Sequence, residues 1–142
     1  MSGAALEQGK KPTGSRVMLV DDEESIRETI SELLATEGID IVTAVDSGEC
    51  LRQLHDGFRG VILMDVMMPE MDGWATIREM EKMGLLEGNI ISMLTAMDIP
   101  DERMEGLQEV VIDYITKPFD PAGFIETIRK YLLLLDQLKG SN

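Results

Sequence analysis

The segment VILMDVMMPEMDG (61–73) begins as an apolar strand and ends that strand in a carboxylate, Asp65. Its apolar half is continuous and does not alternate with polar residues, which is typical of a strand buried on both faces of a parallel sheet. Asp72 can cap a helix that we expect to continue to about Met83. The segment therefore predicts one buried strand, a carboxylate at its end and the start of a covering helix.

The same order of strand and helix recurs along the chain. We expect strands over 16–20, 39–45, 60–65, 89–94 and 110–115, and helices over 24–37, 46–55, 72–83, 98–109 and 121–138. The first helix should end at Gly38, Asp46 or Ser47 should cap the second, and the fourth is polar and weak. Alternation of this kind predicts a parallel sheet with helices on both faces. Because right-handed crossovers leave few topologies, we predict a flavodoxin-like doubly wound α/β fold with five strands in the order 2-1-3-4-5.

The length of 142 residues and the hydrophobic content of 44% fit one domain with its own core. We expect this domain over 16–138, a flexible leader over 1–15 and a short tail over 139–142. No apolar run reaches the roughly 18 residues of a membrane span, and the N-terminus lacks the apolar core of a signal peptide. The single cysteine, Cys50, excludes an internal disulfide, so we expect a cytoplasmic protein.

The formal net charge of −14 restricts the kinds of partner that the chain can bind. Nucleic acids are bound largely through Lys and Arg on phosphates, so we expect no nucleic-acid binding by this chain alone. Anionic membrane surfaces are disfavoured for the same reason. A divalent cation or a basic protein surface is a more natural partner.

Polar residues end or follow four of the predicted strands, and they should meet at the carboxyl edge of the sheet: Asp21, Asp22, Asp65, Thr95 and Lys117. In doubly wound sheets this edge holds the functional sites. Three carboxylates brought together repel one another, so the cluster needs a compensating cation. Carboxylates, backbone carbonyls and water are ligands that Mg²⁺ accepts, which predicts a Mg²⁺ site with the charge of Lys117 beside it.

Thr95 and Lys117 suit a different task, because a hydroxyl and an ammonium can hold the oxygens of a phosphoryl group. A carboxylate can act as a nucleophile and become an aspartyl phosphate, while a metal neutralises the developing charge. We interpret Asp65 as this acceptor, since a strand end is open to an incoming phosphoryl donor.

Four motifs in this order resemble the receiver domain of two-component response regulators. They are MLVDDEE (18–24), LMDVMMPEMDG (63–73), MLTA (93–96) and DYITKPF (113–119). The resemblance covers about residues 16 to 135, and four motifs at four strand ends make it specific. It implies a phosphoacceptor domain that receives its phosphoryl group from a histidine kinase or a histidine phosphotransfer protein. It also implies no enzymatic activity beyond self-catalysed transfer to Asp65 and hydrolysis from it.

The resemblance also assigns roles to single residues. It implies a metal pocket of Asp21, Asp22, Asp65 and the backbone carbonyl of Met67. It implies that Asp65 is phosphorylated, that Thr95 and Lys117 hold the phosphoryl oxygens, that Tyr114 reorients on activation, and that the Lys117–Pro118 bond is cis. The switched surface would comprise the weak helix over 98–109, the fifth strand and the last helix. One departure concerns the start of the fifth strand, where Val110-Val111 replaces the Gly-Ala pair common in this family.

Other functions remain open at this point. An aspartyl phosphatase would need a second Asp where Met67 stands, and a flavin module would need a phosphate loop where acidic residues follow the first strand. An inert pseudo-receiver scaffold is a third alternative, and a receiver fragment of a larger response regulator or hybrid kinase is a fourth. The downstream partner cannot be identified from the sequence. The leucines of YLLLLDQL (131–138) predict a protein contact by the last helix, with a homodimer as one form of it.

Overall fold

The computed structural model describes residues 16–96 and 110–140. Within these ranges it contains five strands and four helices. Their bounds are β1 Val17–Val20, α1 Glu24–Ala35, β2 Ile41–Ala44, α2 Ser47–His55, β3 Val61–Asp65, α3 Gly73–Lys82, β4 Ile90–Thr95, β5 Val111–Thr116 and α4 Pro121–Gly140. The predicted leader over 1–15 and the helix predicted over 98–109 lie outside the described residues.

All five strands are parallel and form one sheet in the order β2-β1-β3-β4-β5. This order confirms the doubly wound topology that the alternation of strands and helices predicts. None of the helices in the described ranges is both long and apolar enough to cross a lipid bilayer.

The strand residues alternate between two apolar layers, one on each face of the sheet. Met18, Val20, Ile62 and Met64 belong to a cluster completed by side chains of α2 and α3. Val17, Leu19, Val61 and Leu63 belong to a second cluster completed by side chains of α1 and α4. Both faces of β1 and β3 are therefore buried, which explains why these strands are continuously apolar and confirms helices on both sides.

The helix ends agree with the sequence signals, with small shifts. The Asp46 carboxylate accepts a hydrogen bond from the Glu49 amide at 2.9 Å, so Asp46 and not Ser47 caps α2. Asp72 caps α3 in the same way. Gly38, with φ +73°, follows the end of α1. The last helix continues to Gly140, two residues beyond the predicted end.

The edge strand β5 has a register shift that the sequence did not reveal. Ile91 pairs with Val111, but the next residue of β4, Ser92, pairs with Asp113. One residue of β5 is thus inserted, as in a β-bulge. The Tyr131 hydroxyl donates to Asp113 at 2.8 Å and lies 2.8 Å from the Ser92 hydroxyl, so α4 is anchored to both strands at the shift.

Candidate functional site

Strand register brings the predicted site residues to one edge of the sheet. Val20 of β1 pairs with Met64 of β3, so Asp21 and Asp65 follow at the same level on neighbouring strands. On the other side of β3, the Lys117 amide donates to the Thr95 carbonyl at 2.8 Å and extends the β4–β5 ladder past the strand ends. The polar residues are therefore held by the sheet itself and not by long loops.

Three carboxylates form the acidic part of this edge. One oxygen from each of Asp21, Asp22 and Asp65 lies within 4.8 Å of the others. Asp21 and Asp65 are buried, whereas Asp22 is exposed. Backbone amides already hold both buried groups, because Glu23 donates to Asp21 at 3.0 Å and Met67 to Asp65 at 3.3 Å.

Lys117 lies against both buried carboxylates. Its ammonium nitrogen is 3.1 Å from Asp21 Oδ2 and 3.4 Å from Asp65 Oδ1, and its side chain is 19% exposed. Burial alone lowers the pKa of Lys117, but the charges of Asp65 and Asp21 and their hydrogen bonds outweigh burial and raise it. The lysine is therefore a fixed positive charge at this edge.

Asp65 is held in an environment that disfavours its charge. Burial, and next the negative charge of Asp21, raise the pKa of Asp65 to about 6, although Lys117 and the Met67 amide oppose the rise. One lysine thus compensates the two buried carboxylates only in part. A perturbed carboxyl beside a specific charge partner is a common property of functional sites.

The donor set fits a hard divalent cation. Three carboxylates supply oxygen ligands, and the exposed Asp22 leaves the site open to water, as Mg²⁺ requires. Thiol and imidazole ligands are absent from this cluster, which argues against a softer metal. The role of the Met67 carbonyl stays a prediction; the Met67 side chain is 62% exposed.

Thr95 and Tyr114 lie beside this edge on β4 and β5. Thr95 ends β4, is 8% exposed and pairs with Thr116. Tyr114 pairs with Met93 and is half-buried, and burial raises the pKa of its hydroxyl. The Lys117–Pro118 bond is cis, as the resemblance implied.

The residues that fix the loop between β3 and α3 could not be identified from the sequence. Gly73 packs so closely that a Cβ there would lie 2.5 Å from the Asp65 carbonyl oxygen. Ser47 donates to the Met71 carbonyl at 2.8 Å and its hydroxyl lies 2.7 Å from that of Thr76. These contacts depend on the path of the loop, which strand and helix periodicity does not specify. Cys50 is buried, with its pKa raised to about 12 by burial, and His55 is exposed, so neither contributes to the site.

The raised pKa of Asp65 predicts that the metal-free protein becomes less stable as the pH rises. Its ordinary value is 3.8 and its folded value about 6, so the folded state binds the proton more tightly in this interval. The free energy of unfolding should therefore fall as pH rises from about 4 to 6 and stay lower above it. At about pH 7.5 with a chelator, Asp65→Asn should raise the free energy of unfolding by roughly 1–2 kcal/mol, after allowance for the lost attraction to Lys117.

Urea unfolding of the two proteins at several pH values measures this difference. The stabilisation should disappear near pH 4, where wild-type Asp65 is protonated. Asp40→Asn, a change of an exposed carboxylate, is the matched control and should alter stability little at any pH. An Asp65→Asn protein that is less stable than the wild type at neutral pH would contradict the raised pKa.

Comparisons of this chain with known sequences and structures all identify the same protein family. A family model described as the response regulator receiver domain matches residues 17–129. The probable transcriptional regulator ycf27 of Guillardia theta is 37% identical over 121 residues, which cover 84% of this chain and 46% of that protein. The chain spans about half the length of the curated relatives of this name.

Two solved structures are similar over most of their length. A response regulator receiver domain protein (CheY-like) from Methanospirillum hungatei JF-1 is 45% identical, with a TM-score of 0.81, and the match covers 85% of this chain and 96% of that one. The response regulator protein TrrA from Thermotoga maritima, in complex with Mg²⁺-BeF, is 29% identical with a TM-score of 0.70. That match covers 83% of this chain and 99% of the other.

Proposed function

This chain belongs to the response regulator receiver domain family of two-component systems, and we propose that it accepts a phosphoryl group on Asp65 and uses it to control a partner. The observation that carries this proposal is the meeting of three carboxylates and the Lys117 ammonium at one edge of the sheet. A pseudo-receiver scaffold would have no need for this costly cluster of charges. A phosphatase is disfavoured because the exposed Met67 occupies the place of its second Asp.

The proposed chemistry is transfer between a phosphohistidine and a carboxylate. A carboxylate oxygen of Asp65 attacks the phosphorus, the bond between phosphorus and the donor's imidazole nitrogen breaks, and the nitrogen keeps the electron pair. Thr95 donates its hydroxyl to one phosphoryl oxygen and Lys117 its ammonium to another. Water later attacks the phosphorus, releases inorganic phosphate and restores Asp65. The chain thus catalyses only its own modification and is no classical enzyme.

Asp21, Asp22 and Asp65, with the Met67 carbonyl, would hold Mg²⁺ at this edge. The ion supplies positive charge beside the transferring group when it is bound. The protein residues provide the rest of the site, since Lys117 already compensates the two buried carboxylates in part. The raised pKa of Asp65 supports this proposal, because a second cation would offset the unfavourable charge there.

Thermal unfolding with Mg²⁺ and beryllofluoride tests this function. Millimolar Mg²⁺ should raise the melting temperature, and beryllofluoride with Mg²⁺, as a phosphoryl analogue, should raise it further. Asp22→Ala removes an exposed ligand and should abolish most of both shifts without disturbing the core. Asp40→Ala, which removes an exposed carboxylate elsewhere, should leave both shifts intact. Equal shifts in Asp22→Ala and the wild type would refute the metal site.

We further propose that Thr95 and Tyr114 transmit the signal. The phosphoryl group brings roughly two negative charges to Asp65, and its oxygens would draw the Thr95 hydroxyl inward. Tyr114, on the neighbouring strand, could then turn into the space behind Thr95. The output surface would include β5 and α4, together with the helix predicted over 98–109, which lies outside the described residues.

The outer side of α4 supports a role in partner binding. Leu133 and Leu138 are 59% and 54% exposed, while Leu135 is buried and Leu132 and Leu134 are half-buried against the core. Two leucines of this helix are therefore not needed for the core, and exposed apolar side chains suit a protein contact. The partner would be a downstream protein, an attached output domain or a second copy of the chain. The proposed phosphodonor is a histidine kinase or a histidine phosphotransfer protein, which would place the chain in the cytoplasm.

A further inference from the structure

Trp74 has a property that neither the fold nor the proposed chemistry uses. It is the only tryptophan of the chain, the second residue of α3, and 2% exposed. Across residues 16–96 and 110–140, its indole nitrogen is the one buried side-chain polar atom without a hydrogen-bond partner. A buried donor without an acceptor costs free energy, and native proteins contain few such donors. The unpaired indole N–H of Trp74 therefore requires an explanation.

The position of Trp74 connects it to both the acceptor and the switch residue. Its neighbour Gly73 packs on the Asp65 carbonyl and donates its amide to the Val66 carbonyl at 3.0 Å. On its other side the ring lies against Tyr114, with ring centroids 6.3 Å apart and planes tilted by 56°. Trp74 thus stands between the end of the acceptor strand and the ring that the proposed switch moves.

We propose that Trp74 is a positioning residue of the switch: its indole N–H donates a hydrogen bond to the Tyr114 hydroxyl when that ring turns inward. This inference rests on the proposed function, because it concerns the state with a phosphoryl group on Asp65. The two rings already lie within the range of aromatic contacts, and the movement that we propose is a change of the Tyr114 side-chain rotamer toward the indole.

The chemistry of both groups fits this pairing. An indole nitrogen can only donate, and a tyrosine hydroxyl can accept while its own proton is donated to another group. Burial raises the pKa of Tyr114, which favours the neutral hydroxyl that this pairing needs. In the inward state the indole N–H gains an acceptor that it lacks in the present structure, where the unpaired donor costs free energy. The orphaned N–H therefore favours the switched conformation only once the phosphoryl group has drawn Thr95 away.

The indole N–H signal of Trp74 in the NMR spectrum tests this inference on the unaltered protein. Because the chain has one tryptophan, it gives one such signal. Adding beryllofluoride and Mg²⁺ should move the signal downfield and slow its exchange with water. Tyr114→Phe, which keeps the ring and removes the hydroxyl, should load the ligand but show neither change. If a bound water molecule accepts the indole hydrogen bond in both states, the signal will be the same with and without beryllofluoride. That result would contradict the proposed pairing with Tyr114.

A double-mutant cycle gives the second readout. Trp74→Phe and Tyr114→Phe should each weaken beryllofluoride binding about threefold to tenfold, and the double mutant should lose little more than either single mutant. Fluorine NMR of the bound ligand reports separately whether the acceptor site is loaded. No loading in the wild type would refute the proposed function. Loading with an unchanged indole signal, or with additive losses in the cycle, would refute the role of Trp74 and leave the proposed function standing.

Discussion

Asp65→Asn is expected to abolish covalent phosphorylation of the chain by acetyl phosphate. The amide has no charged oxygen that could act as a nucleophile, whereas its shape and its contact with the Met67 amide are preserved. In the wild type, a phosphoryl adduct should form in the presence of Mg²⁺ and decay by hydrolysis. Reduction with borohydride should convert the acyl phosphate to an alcohol, and mass spectrometry should locate this product at Asp65.

The control for this experiment comes from the same peptide. Trypsin should release residues 60–78 as one fragment, which contains Asp65 and Asp72. Asp72 caps α3, and asparagine caps helices equally well, so Asp72→Asn should fold normally and keep the label. A label that persists in Asp65→Asn, or one that fragmentation places on Asp72, would overturn the assignment of the acceptor.

The fold could be predicted because each of its determinants is local or nearly so. Short segments of sequence determine the continuous apolar strands, the capping residues such as Asp72 and the turn at Gly38. Strand order then follows from the handedness of the crossovers, which leaves few alternatives. The register shift at Asp113 could not be predicted, because it depends on how Tyr131 and Ser92 meet across the sheet.

The candidate site was predictable for a related reason. Polar residues that end parallel strands must share one edge, so Asp21, Asp65 and Lys117 could be brought together without knowing any distance. The sequence could not reveal that the lysine contacts both carboxylates, or that burial and the charge of Asp21 raise the pKa of Asp65 to about 6. It also could not reveal that the indole N–H of Trp74 is buried without a hydrogen-bond partner, because this depends on the positions of the surrounding residues in the fold.

Removing the charge of Lys117 should lower the free energy of unfolding more than any other substitution proposed for this site. Lys117→Met keeps an apolar stem but leaves Asp21 and Asp65 buried without their cation. At about pH 8 with a chelator, we expect the free energy of unfolding to fall by roughly 2–4 kcal/mol, because breaking a buried ion pair leaves an uncompensated charge. Lys82→Met is the control, since Lys82 lies 3.4 Å from Glu79, the same separation as that between Lys117 and Asp65.

The two ion pairs differ in exposure and not in length. The Lys82 side chain is 73% exposed and that of Lys117 only 19%, so water screens the first pair and not the second. Lys82→Met should therefore cost less than about 1 kcal/mol in urea unfolding. Lowering the pH to about 4.5 protonates Asp65 and should reduce the loss in Lys117→Met. Mg²⁺ should also stabilise Lys117→Met more than the wild type, because it restores the missing positive charge. Equal losses for the two lysine variants would mean that Lys117 does not compensate the acidic cluster, and the electrostatic basis of the site would be wrong.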